Sequence, residues 1–187
     1  MDAYEYVSYE EFGRRFYEIA VTEERVGGAI AAIAGDEFEM GPMGQGPGKI
    51  AKVTAKVRIQ EPRVTRANGE LITFAIRIPL EIDMVIDLRI DKPKFMVFGE
   101  IELSAVARAA EPLLLILDVQ KPRPSDIAIH VTSKSLRGEL LRILAGVDEE
   151  IRRFIAAHVA GEIDSPASTK AKVIDVAERL DAAWTGV

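Results

Sequence analysis

ITFAIRIPLEIDMVIDLRI, residues 72–90, alternates apolar and polar side chains almost without a break. Ile72, Phe74, Ile76, Ile78, Leu80, Ile82, Met84, Ile86, Leu88 and Ile90 share one parity, while Thr73, Arg77, Glu81, Asp83, Asp87 and Arg89 share the other. A period of two is the mark of a strand with one face buried and one face wet. A straight strand of this length would run about 63 Å at ~3.3 Å per residue. A compact chain of 187 residues is only about 41 Å across, from its expected radius of gyration. The segment must therefore bend or reverse. A two-residue hairpin at Pro79 would pair Ile78 with Glu81 and exchange the two faces, yet the parity continues unchanged. A three-residue loop would preserve it, but Ile-Pro-Leu lacks the Gly, Asn or Asp that tight hairpins want. The pattern predicts one long strand that curls near Pro79, whose missing N–H marks an edge or a bulge.

Working outward, Ala51, Val53, Ala55, Val57 and Ile59 alternate with Lys52, Thr54, Lys56 and Arg58 until Glu61-Pro62 stops the phase. A three-residue hairpin loop, Ala67 to Gly69, is expected next, with Val64 opposite Ile72 and Gly69 at positive φ. Downstream, Val97, Ile101, Leu103, Ala105 and Ala107 oppose Glu100, Glu102, Ser104 and Arg108; Glu111-Pro112 ends that strand. LLLILDV, residues 113–119, reads as a more fully buried strand, and Ile127, Ile129 and Val131 as a last alternating one. Residues 49–133 thus make an antiparallel sheet of about five to seven strands.

Helices are expected on either side of this sheet. Ser8 followed by Glu11 has capping-box spacing, with Val7 and Phe12 placed as a hydrophobic staple, and opens a helix over about residues 9–34 that Gly27-Gly28 would kink or divide. GPMGQGPG, residues 41–48, reads as loop; it fails as a phosphate loop because Met43 stands where glycine is needed and Ile50 where Ser or Thr is needed. The stretch LRGELLRILAGVDEEIRRFIAAHVAGEI, residues 136–163, carries Leu136, Leu140, Leu144, Val147, Ile151, Phe154, Ile155, Val159 and Ile163 as one stripe, widened by Leu141 and Ile143. These 28 residues measure about 42 Å at ~1.5 Å per residue, so a helix over about 135–164 is long enough to lie along the whole sheet. A short helix over 169–185 closes the chain, with Ala171 to Val176 able to pair as a strand instead. The fold class is α+β, a single domain in which a long curled antiparallel sheet wraps a long amphipathic helix, with a helix at the N-terminus.

This order of elements, over about residues 10–163, resembles the tubular lipid-binding (TULIP) superfamily, whose members enclose apolar ligands between helix and sheet; the resemblance rests on architecture alone. The helix-grip fold of START-like lipid carriers has a similar inventory but usually begins with a strand, where this chain begins with a helix. The resemblance implies a soluble, non-catalytic protein that holds a lipid-like molecule between sheet and helix. Its apolar lining would come from Ile76, Ile78, Leu80, Ile82, Met84 and Leu103 of the sheet and Leu140, Leu144, Val147 and Ile151 of the helix. A completely filled core has the same stripes, so an interaction or scaffold module stands as the alternative. The small residues Gly99, Ala105, Ala107, Ala145 and Gly146 lean toward a cavity, though close helix–sheet packing uses such residues too.

Composition narrows the remaining classes. No cysteine is present, which excludes disulfides, thiolate metal sites and a cysteine nucleophile. A net charge of −6 repels phosphate backbones, and no nucleic-acid partner is expected. The longest aliphatic run, Leu113 to Leu117, is far short of the roughly 20 residues that cross a bilayer. MDAYEYVSYEEFGRR shows no basic region followed by an apolar one, so the cytoplasm is the expected compartment. His158, four residues before Glu162, has a spacing that suits a metal or proton relay but lacks the third ligand zinc requires; His130 should face the polar side of its strand. No cofactor or metal is expected, and no nucleophile elbow, His-Glu-x-x-His pair or dinucleotide fingerprint occurs. An enzyme of unidentified chemistry is the second alternative. Finally, strands at about 80–91, 94–109, 112–120 and 125–133 run as a meander would bring Lys92, Lys94, Lys121 and Arg123 together as a basic rim for an anionic head group.

Overall fold

The computed structural model describes residues 4–35, 37–131 and 138–185. Two strands set its scale. β4 (Ile72–Asp87) and β5 (Lys94–Ala110) pair antiparallel from Thr73↔Val106 to Val85↔Lys94. β4 is one unbroken strand through Pro79, and every even-numbered residue from Ile72 to Ile86 is buried. The strand ends at Asp87, earlier than the alternation suggested: Leu88 is half-buried and Ile90 is fully exposed in the turn.

The strands that flank this pair are each interrupted, and the interruptions explain the curl. β2 (Ala51–Ile59) pairs with one half of β4 and β3 (Arg63–Asn68) with the other. Between them Gln60, Glu61 and Pro62 face only Ile78 and Pro79, one residue in excess, and the Gln60 N–H donates to the Pro79 carbonyl at 2.9 Å. One extra residue is a bulge. It exchanges inward and outward side chains, which is why the buried parity is odd in β2 and the half-buried parity is even in β3 (Val64, Arg66). On the far side, β6 (Leu114–Val119) and β7 (Ile127–Val131) both pair with β5, separated by seven residues, Gln120 to Asp126, that face only Glu102 to Ser104. β7 thus continues the line of β6 along β5, and the expected meander does not form. Gly99 lies beside this break, opposite Ile129 of β7: a Cβ there would lie 2.8 Å from the Ala128 carbonyl oxygen, so close strand approach, not a cavity, requires it.

Several expectations are corrected at the margins. The glycine-rich stretch is not loop: β1 (Glu37–Gln45) pairs with β2 across a bulge between Met40 and Met43, joined by a 3-10 turn at Pro47–Lys49. The β3–β4 hairpin turns at Gly69 to Leu71, with Val64 opposite Ile76, not Ile72, and Gly69 is not at positive φ. The register slips by an even number, so Val64 keeps its face. β6 alternates, with Leu115, Leu117 and Val119 buried and Leu113 about half exposed. The C-terminal segment divides into α4 (Pro166–Lys172), β8 (Val173–Asp175), which pairs with β6, and α5 (Val176–Trp184). Among the described residues the sheet has eight strands in the order β1-β2-β4-β5-β6-β8, all pairings antiparallel, and it curls as a half-barrel.

The N-terminal helix breaks at Val21-Thr22, not at Gly27-Gly28, into α1 (Tyr9–Ala20) and α2 (Glu23–Ala34). Thr22 caps α2, its hydroxyl accepting from the Arg25 N–H at 3.3 Å. Ser8 caps α1, accepting from the Glu11 N–H at 3.1 Å. Glu11 does not complete a capping box; its carboxylate takes Arg14 and Arg15 instead, whose hydrogen bonds hold it below its ordinary pKa. Val7 and Phe12 both remain exposed, so no staple is buried.

α3 (Gly138–Ile163) runs across the concave face from the β1 edge to β7; Leu136 and residues 135–137 lie outside the described residues, as do 132–133 of the sheet. Val26, Ile30 and Ile33 of α2 and Val147, Ile151, Ile155 and Val159 of α3 join the sheet's inner face in one continuous core. Two helices, not one, fill the hollow. Ile82→Asp places an unpaired carboxylate in this core and should cost about 3–5 kcal/mol, whereas Asp83→Asn, on the outer face beside Arg58, should stay within ~0.5 kcal/mol. Urea midpoints check both, and equal midpoints would contradict the assignment of faces.

Candidate functional site

Where α3 passes over the edge of the sheet, the core is not closed. A groove of about 320 Å³ opens there, near the lower end of the ~300–1,000 Å³ that small-molecule sites occupy. Its floor is Met84 of β4 and Val97 of β5; Ile129 and Val131 of β7 form one wall; Leu141, Leu144, Ala145, Asp148 and Ile151 of α3 form the other. The helical period puts these α3 residues on one side of the helix, three and four apart. Among the described residues Asp148 is the only charged side chain in the lining, and Arg152, one turn on, pairs with it at 2.9 Å. Val131 and Leu141 stand at the mouth, both more than two-fifths exposed. Among the described residues the groove offers apolar contact and no nucleophile.

Of the residues expected to line a ligand space, Met84, Leu144 and Ile151 meet in this groove. Ile76, Ile78, Leu80, Ile82, Leu103 and Val147 are core, and Leu140 is half-buried against it. The sequence did not single out Val97, Ile129 or Val131 for the lining, because their membership depends on β7 returning to β5. Ala145 alone of the five small residues lines the groove. Ala105 and Ala107 are buried in the core, and a Cβ on Gly146 would stand 3.2 Å from Gln45 Oε1.

The basic rim is not assembled. Lys94 begins β5, whereas the Gln120 N–H bonds the carbonyl of Ser104, ten residues further along the strand, or about 33 Å at ~3.3 Å per residue. Lys92 and Lys94 are therefore far from Lys121 and Arg123. Three of the four are also paired: Lys92 with Asp87 at 2.9 Å, Lys121 with Asp164 at 2.5 Å and Arg123 with Asp126 at 3.2 Å. Hydrogen bonds from Lys92 and from the Arg89 N–H hold the Asp87 carboxyl below its usual range, and Arg123 does the same to Asp126. Such exposed pairs are neutralised surface, not a head-group site.

His158 belongs to an aromatic stack. Its ring lies 4.0 Å from that of Phe38 in β1, and Phe38 stacks in turn on Phe154 at 6.0 Å, fastening the edge strand to α3. His130 is exposed on the outer face, as its parity required. Among the described residues no three His, Cys, Asp or Glu side chains gather as a metal site would need, and no helix is long and apolar enough to cross a membrane.

The fold and groove define an α+β protein with an apolar recess between a curled sheet and a long helix. Set against known protein families and curated proteins, the chain matches no family model and no curated sequence. If His158 serves the stack, His158→Phe should change stability by less than ~0.5 kcal/mol, while Phe38→Ala should cost about 1–2 kcal/mol, less than a fully buried Phe. Thermal melts check both; a zinc-dependent rise in Tm that His158→Phe abolishes would assign the histidine to a metal instead.

Proposed function

We propose that this protein is a non-catalytic binder of a long apolar, lipid-like molecule, whose chain lies in the groove between α3 and the β4–β5–β7 face. The observation that carries the reading is the groove itself: an open apolar recess between the long helix and the sheet, beside a core that is otherwise continuous. Because most of the expected lining is core, the ligand is held at the open edge of the helix–sheet interface. The order of elements, helix, long curled strands, long helix, supports the same reading by its resemblance to TULIP proteins. The packed state of Ile78, Leu80 and Ile82 favours the alternative, an interaction module whose groove takes an apolar side chain of a partner.

Dodecanoate and dodecanol separate the two. Either should raise the wild-type Tm with concentration, as a ligand of the native state must, by about 2.7 kcal/mol of stabilisation at 100 times Kd. Ala145→Trp places an indole in the groove from an exposed position on α3 and should remove the response while leaving the unliganded Tm unchanged. A wild-type Tm indifferent to both compounds, or an Ala145→Trp variant that responds as wild type does, would overturn the carrier reading.

A further inference from the structure

A second recess lies at the opposite margin of the molecule, where α1 crosses the β5–β6 turn beside α5. It is an open recess of about 290 Å³ between Gly13, Phe16 and Tyr17 of α1, Ala109 and Ala110 at the end of β5, and Leu180 of α5. Every side chain that lines it is apolar apart from the Tyr17 hydroxyl, and partial burial pushes that phenol above its ordinary pKa. Among the described residues no charged group lines the space.

The walls are fixed. At the C-terminal end of α1, Arg66 Nη1 donates to the carbonyls of Glu18 at 2.8 Å and Val21 at 3.1 Å, and Arg25 Nη1 donates to that of Ala20 at 2.9 Å. On the other side β8 pairs with β6, and the Val176 N–H that opens α5 donates to the Leu113 carbonyl at 3.0 Å. Despite this anchoring, no residue of α1 is fully buried, and Phe12 at the rim is 63% exposed. The apolar face of α1 is held over a hollow and does not fill it.

Gly13 widens the hollow. It sits in the interior of a 12-residue helix, where glycine is a poor helix former. It has no positive φ, and a Cβ built on it would meet no heavy atom within 4 Å. Nothing in the backbone or the packing demands glycine there; what its missing side chain does is leave the wall open, opposite two alanines that do the same.

From these features we infer that the recess between α1, the β5–β6 turn and α5 is a second binding site, for an uncharged apolar molecule of about the bulk of two benzene rings. The size follows from the cavity: an apolar space of about 150 Å³ holds one benzene, and this one is nearly twice as large. A charged ligand is disfavoured because no lining group would replace its water. This site is independent of the groove under α3.

The test uses 2-naphthol as probe and amide NMR shifts of the whole chain. In the wild type, the amides of Gly13, Ala109 and Ala110 should shift saturably, and 2-naphthoate should bind at least tenfold more weakly. Gly13→Leu fills the space with a better helix former, so its Tm should be no lower than that of the wild type while its affinity falls at least tenfold. Ala110→Leu, from the facing wall, should weaken binding likewise, and Ala145→Trp should leave it unchanged. The site is overturned if the wild type shows no saturable shifts at these amides, if Gly13→Leu and Ala110→Leu bind as tightly as wild type, or if the shifts move to Ile129 and Ala145. That last outcome would favour the α3 groove while removing this one.

Discussion

Two strands longer than the molecule is wide, each apolar on a single face, are the constraint from which the rest of this structure follows. β4 and β5 comprise 16 and 17 residues, about 53 and 56 Å if straight, so the pair can stay compact only by curling. Curling a sheet requires local excess length in the neighbouring strands, and both neighbours supply it. The β2–β3 bulge faces Pro79, and the β6–β7 excursion faces Glu102 to Ser104, whose partners on β4 are Arg77 to Ala75. These breaks form a seam across the sheet where proline, glycine and bulge coincide. Inside the curl the apolar face must be kept from water, each buried Ile or Leu contributing about 1.5–3 kcal/mol before entropy. α2 and α3 are the elements that do it.

The outer face obeys a different rule. Its charges pair across strands, as Arg58 does with Glu81 and Asp83 at 3.2 and 3.0 Å and Arg108 with Asp118 at 2.9 Å. Pairs of this exposure contribute little to stability, yet they neutralise the surface locally, and the basic turns are drawn into the same pattern. Lys92, Lys121 and Arg123 are each taken up by a neighbouring carboxylate in this way. The two recesses lie where coverage of the sheet ends: at the α3–β7 margin, and beneath α1, which is fastened at one end by Arg66 and Arg25.

By itself the sequence determined the faces of β2, β4 and β5, the continuity of β4 through Pro79, a long amphipathic helix over about 135–164 and the α+β class. Each of these follows from a period, and a period is a local property of the chain. Met84, Leu144 and Ile151 belong to the expected ligand lining because they lie on the inward faces of their elements, but so do the seven others expected with them, which lie in or against the core. Only the tertiary structure decided what depends on which segment lies beside which. β7 returns to β5 instead of flanking β6, so Val97, Ile129 and Val131 meet α3 while Lys94 and Lys121 are separated. The glycine-rich stretch becomes an edge strand because β2 offers it a partner, and Val173–Asp175 becomes a strand because β6 has a free edge. An aliphatic side chain that fills a core and one that lines a recess are chemically the same, and the difference between them is set by how far the opposing element stands off, a distance that no local pattern encodes.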